Sequence, residues 1–225
     1  MKLIVFDIDG TLTRTDEVDE VCYVRAFEEE LGWAGISTDW AAYPSCTDEA
    51  IALEVFARHG NRLPRDGEIA RVRRRFLSLL EAALAEGPDL FTEIPGAGEA
   101  LRRLRSDPRF RVALATGAWE ASARLKLRTA GLEVDGIPFA TSDDHPSREE
   151  IVRRAIARAE AGSGPFESIV SVGDGVWDLR TARALGIGFV GIGSGERAER
   201  LRREGAERVI EDFWDWEAFV ECLTA

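Results

Sequence analysis

Three short runs of the chain, residues 3–6, 112–115 and 169–172, are apolar at nearly every position, and each ends in a polar turn: Asp7, Thr116, and Gly173 followed by Asp174. Unbroken apolarity over a few residues is the pattern of a parallel strand buried on both faces. Between the second and third runs, helical periodicity covers 120–129, closed by Gly131, and 149–161, closed by Gly162. Strand-helix alternation of this kind predicts an α/β fold, a doubly wound, Rossmann-like parallel sheet. Residues 188–193 read as a fourth strand and 208–210 as a short last one.

Residues 15–88 have another texture. Helical segments over 18–31, 48–59 and 66–86 follow one another with no strand pattern, and Gly87-Pro88 and Pro95-Gly96 punctuate the far side before a helix at 99–104. The expected organisation is therefore an α/β core made of 1–14 and 89–225, with 15–88 inserted as a helical cap domain. The glycines at 188, 191, 193 and 195 do not form a dinucleotide fingerprint.

In an open parallel sheet, ligands bind beyond the carboxyl ends of the strands, so the three polar strand ends are expected to converge on one site. Asp7 and Asp9 stand two residues apart on an extended chain, which puts both carboxylates on one side. Phosphate-ester hydrolysis needs an in-line nucleophile, neutralisation of the equatorial oxygens and a proton for the departing oxygen. Asp7 can attack, and Asp9 can protonate the leaving group and then take a proton from water. Asp174 and Asp178, in Gly173-Asp174-Gly175-Val176-Trp177-Asp178, add carboxylates without histidine or thiolate, a set suited to a hard cation such as Mg2+. Thr116 and Gly117 lie where a hydroxyl and free N–H groups at a helix N-terminus can hold phosphate oxygens, although a threonine there also makes a simple N-cap.

These motifs, Asp-x-Asp-Gly-Thr-Leu-Thr, an apolar strand ending in Thr-Gly, and Gly-Asp-Gly-x-x-Asp, resemble in order and spacing the haloacid dehalogenase (HAD)-like hydrolase superfamily. The resemblance implies the phosphatase branch with a helical cap (C1-type), as in phosphoglycolate phosphatase. An acid at the second motif position, here Asp9, separates the superfamily's phosphatases and phosphomutases from its dehalogenases. The metal set implied is Asp7, Asp9, Asp174 and Asp178. The third motif is a basic residue that neutralises aspartate and phosphate; the candidates are Arg148, just inside a helix opened by the capping-box form Ser147-x-x-Glu150, and Lys126.

The function expected is hydrolysis of a small phosphorylated metabolite by a magnesium-dependent phosphatase, through an aspartyl-phosphate. A phosphomutase and a catalytically silent binding protein are the alternatives. A receiver-like signalling domain would lack the cap and Asp9.

Composition narrows the partners. A net charge of -12 argues against a nucleic-acid ligand, whose phosphates demand a basic surface. Three scattered cysteines, Cys22, Cys46 and Cys222, read as reduced thiols, and no apolar run nears the roughly 20 residues of a membrane span. A cytoplasmic protein is the expectation. The loop Asp143-Asp144-His145 and the run 71–75 read as solvated, the segment 43–48 as a cap loop over the nucleophile, and the tryptophans as core.

Overall fold

A computed structural model of the protein describes residues 1–224. Its centre is strand β1 (Lys2–Phe6), which pairs in parallel with β4 (Phe110–Ala115) on one side and β6 (Ser168–Gly173) on the other. Strand β5 (Phe139–Ala140) extends the sheet beyond β4, while β7 (Gly188–Ile192) and β8 (Val209–Ile210) extend it beyond β6. The order is β5-β4-β1-β6-β7-β8, with every pairing parallel.

The apolar run of β1 is explained by the two layers it separates. Leu3 and Val5 face a cluster with Ile151 and Ala155 of helix α6 (Arg148–Ser163), whereas Ile4 and Phe6 face one with Leu101 of α4 (Ala97–Ser106) and Phe219 of α9 (Trp216–Thr224). Successive side chains point to opposite faces, so each of these four apolar residues is buried against a helix layer, at roughly 1.5–3 kcal/mol apiece.

Between β1 and β4 the chain supplies no strand to this sheet. A two-stranded ribbon, β2 (Thr13–Arg14) with β3 (Thr92–Glu93), brackets helices α1 (Asp16–Leu31), α2 (Asp48–Gly60) and α3 (Glu68–Glu86). These helices share an aromatic cluster of Tyr23, Phe27, Phe56 and Phe76. Trp119, from the loop after β4, enters the same cluster and stacks on Tyr23 at 5.6 Å. Helix α1 stops at Gly32, whose φ of 71° places it in the left-handed region and lets its N–H meet the Glu28 carbonyl.

The expected strands and helices are present, with differences at their ends. Helix α6 runs through Gly162 and is closed at Gly164, φ 77°, since one glycine inside a helix costs only about 1 kcal/mol. Ser147 makes no side-chain cap; its hydroxyl donates to Glu149, so the capping-box form is not realised. Thr116 is not an N-cap either, because α5 (Glu120–Thr129) starts beyond Trp119. Trp214 is 75% exposed rather than core. The two segments expected to be solvated meet one another: Arg73 forms an ion pair with Asp143 and lies over the Trp119 ring. No helix among the described residues is long and apolar enough to cross a membrane.

Candidate active site

The register of the sheet decides what converges. Phe6 lies opposite Leu114 of β4 and Val172 of β6, so Asp7, the Thr116-Gly117 turn and Asp174 leave the sheet at one edge. There the chain turns from β1 toward β4 on one side and from β6 toward β7 on the other, a topological switch point. A cleft of about 610 Å³ opens at that edge, with Asp7, Asp9, Thr116, Gly117, Arg148 and Asp174 in its wall.

Asp7, Asp174 and Asp178 are all buried, and each offers a carboxylate oxygen within 4.8 Å of the others. Asp178 opens α7 (Val176–Leu185), and its Oδ2 accepts the Gly175 N–H at 3.0 Å. Gly173 is required beneath it: a Cβ there would stand 2.5 Å from the Asp178 carboxyl. Burial pushes the Asp7 carboxyl up to about 7, against the pull of Arg148 and with added repulsion from Asp178 and Asp9. Burial likewise raises Asp174 well above the carboxylate range. Three buried carboxyls held apart from water are poorly compensated without added positive charge, and an all-oxygen set of this kind fits a hard dication.

Arg148 supplies one positive charge. From the first position of α6, Nη2 reaches Asp7 Oδ1 at 2.8 Å and Asp178 Oδ1 at 2.6 Å, while Nη1 donates to the Cys46 carbonyl at 3.0 Å. Burial alone would lower its pKa, but Asp178 and Asp7 reverse this and leave the guanidinium more firmly charged than usual. A cation in the first turn of a helix, unfavourable toward the helix dipole, is thus held by two carboxylates outside the helix.

Lys126 goes elsewhere. It is fully buried in α5, and its Nζ lies 2.7 Å from Asp9 Oδ2 and 2.5 Å from Asp19 Oδ1. Lys126 is therefore not the motif-three cation beside Asp7 that it was expected to offer: the face of α5 that buries it is turned to α1 and the loop after β1. Asp9 is also placed differently from the metal set expected of it. Its Oδ1 accepts the Thr15 hydroxyl at 2.6 Å and its Oδ2 the Lys126 ammonium, and its carboxylate is not one of the three clustered carboxyls.

The segment 43–48 does lie against the site. Thr47 caps α2 by accepting the Ala50 N–H and donates its own proton to the Pro146 carbonyl at 2.7 Å. The Asp48 carboxylate accepts the Trp119 N–H at 2.8 Å. Gly117 leaves room for this segment, since a Cβ there would meet the Cys46 carbonyl oxygen at 2.6 Å.

Sequence reasoning missed two residues of the site. Asp19 is separated from Lys126 by 107 positions, and no spacing rule links them. Arg197, in α8 (Gly195–Arg203), reaches Asp174 Oδ2 at 3.0 Å and also pairs with Asp16; the dense arginines of that helix were its signal.

A model of the haloacid dehalogenase-like hydrolases matches residues 1–186. The chain belongs to that family, and is an enzyme of the hydrolase class. It is 29% identical over 198 residues to a phosphoglycolate phosphatase from Cereibacter sphaeroides (strain ATCC 17025 / ATH 2.4.3), covering 88% of this chain and 87% of that one. Among solved structures it resembles a hydrolase from Pseudomonas syringae, with a TM-score of 0.76, 22% identity and 98% of each chain covered. It also resembles CbbY from Rhodobacter sphaeroides in complex with phosphate, with a TM-score of 0.71, 24% identity and 95% of each chain covered.

Proposed function

We propose that the protein is a magnesium-dependent phosphatase that hydrolyses a small phosphorylated metabolite through an aspartyl-phosphate on Asp7. The observation that carries this reading is the buried Asp7 held by Arg148 beside Asp174 and Asp178. A carboxylate fixed at a strand end, with a cation at one oxygen, is a nucleophile aimed by its surroundings rather than by substrate alone.

In the first half-reaction an Asp7 oxygen forms a bond to phosphorus as the ester P–O bond breaks. The departing oxygen keeps the electron pair and receives a proton from Asp9. In the second, water attacks phosphorus, its proton passes to Asp9, and the bond between phosphorus and Asp7 breaks to release phosphate and free carboxylate. In this reading Thr116 and the N–H groups around Gly117 bind phosphoryl oxygens, and Arg148 offsets the charge between Asp7 and the phosphate. Asp7, Asp174 and Asp178 would hold Mg2+, which supplies positive charge at the phosphoryl oxygens when bound.

Helices α1 to α3 serve in this reading as a cap over the site, with 15–88 as its extent and 1–14 and 89–225 as the core. The segment 43–48 shields the site from water, which strengthens every charge interaction inside it. The cleft admits a small phosphomonoester, and phosphoglycolate heads the substrates to try because a relative is named for it. Phosphate release from a panel of phosphorylated metabolites, with Mg2+ and with chelator, tests the proposal. Magnesium-dependent release supports it; no release from any compound by wild type overturns it.

A further inference from the structure

Lys126 is a fully buried ammonium that does not touch Asp7, so charge neutralisation at the nucleophile does not explain it. Its two partners come from different parts of the chain. Asp9 lies in the loop after β1, and Asp19 in the first turn of α1. One side chain from α5 therefore ties that loop to the helical segment.

The Asp9 carboxyl is fixed at both oxygens. Thr15 gives its hydroxyl proton to Oδ1 at 2.6 Å, and its oxygen lies 2.7 Å from the Thr13 hydroxyl oxygen. Lys126 holds Oδ2 at 2.7 Å. Two contacts occupy two of the carboxyl's four lone-pair positions, which leaves room for a proton and for a reacting oxygen. The Asp48 carboxylate, itself tied to the Trp119 N–H, adds its field at Lys126. An ammonium taken out of water this completely is retained only where carboxylates hold it on several sides. Asp19 supplies the contact that keeps it from swinging away with Asp9.

We infer that Lys126, anchored on Asp19, is a positioning residue for Asp9, holding its carboxyl where it exchanges a proton with the leaving oxygen. The inference rests on the phosphatase reading above. A bond that only stabilised the fold would affect every substrate alike. One that aims the general acid affects substrates according to how much their leaving groups need a proton.

The test compares kcat/KM, which covers only the steps through transfer of phosphorus to Asp7, for a primary alkyl phosphate and for acetyl phosphate. Alkoxide needs protonation to leave; acetate does not. With Lys126→Met, kcat/KM for the alkyl phosphate should fall about 100-fold, within the range of general acid catalysis, and for acetyl phosphate about fivefold or less. Asp19→Asn keeps Lys126 and removes its anchor, and should show the same selectivity to a smaller degree; it decides the matter if Lys126→Met does not fold. Equal losses on both substrates, or no loss on either, overturn the inference. Wild type that releases phosphate from neither compound overturns the phosphatase reading instead.

Discussion

The guanidinium of Arg148 joins Asp7 at 2.8 Å to Asp178 at 2.6 Å, so one side chain at the start of α6 bridges the end of β1 and the first turn of α7. Arg148→Ala leaves three buried carboxyls without that cation, and kcat/KM for phosphate release should fall about 10²–10³-fold, as when a preorganised charge-stabilising donor is removed. Arg148→Lys should recover only part, because an ammonium cannot reproduce a planar fork that meets Asp7, Asp178 and the Cys46 carbonyl together. Full activity of the lysine variant in matched assays would show that charge alone suffices.

Asp7 makes the stability of the metal-free protein depend on pH. Burial first, then repulsion by Asp178 and Asp9, raises its folded pKa from 3.8 to about 7 despite Arg148. The folded state therefore binds this proton more tightly than the unfolded chain. Its stabilising contribution is full below about 4 and is lost as pH rises through about 7. Asp7→Asn removes that loss. In chelator at pH 8 the variant should melt above wild type by a few degrees, about 2–4 °C per kcal/mol for a chain of this size, and the gap should narrow at pH 5, where less of the loss has occurred. Calorimetry at the two pH values checks this; a constant gap contradicts it.

The same protons compete with a cation. Asp7 and Asp174 both hold protons above the usual carboxylate range, so Mg2+ must displace them. Affinity should increase from pH 6 to pH 8, with protons released on binding. Trp177 lines the same cleft and gives a fluorescence signal for the titration. Affinity independent of pH would contradict the assignment of these carboxyls as ligands.

Gly117 is a test of close approach. A Cβ there would lie 2.5 Å from Arg148 Nη1 and 2.6 Å from the Cys46 carbonyl oxygen, and the latter is backbone. Gly117→Ala should cost about 1–3 kcal/mol of stability and reduce activity by moving Cys46 or Arg148. Gly162→Ala, in α6 with no atom within 4 Å of the added carbon, should be neutral or stabilising by up to about 1 kcal/mol. Thermal melting of both variants separates crowding from a general effect of alanine.

The parts legible in the sequence were those governed by local rules. The runs containing Leu3, Val112 and Ile169 show as strands because both faces are buried, and their polar ends identify where Asp7, Thr116 and Asp174 emerge. Strands β2, β3 and β5 escape notice because two residues are too few to show a period. Arg148 could be located by its odd place at a helix start, but its two carboxylate partners follow from sheet register. That Lys126 meets Asp9 and not Asp7 depends on which face of α5 meets α1. Asp19 became visible only through packing across 107 positions, and the partners of Arg197, Asp174 and Asp16, only through the fold.

In the proposed reaction phosphorus bonds to Asp7. The most direct measurement is acid quenching of wild type and Asp7→Asn during turnover with Mg2+ and a substrate found in the panel, followed by peptide mass spectrometry. A phosphate adduct on the peptide that carries Asp7, absent from the variant, is the predicted result. An adduct on another residue, or turnover by the Asp7→Asn protein at the wild-type rate, would contradict it.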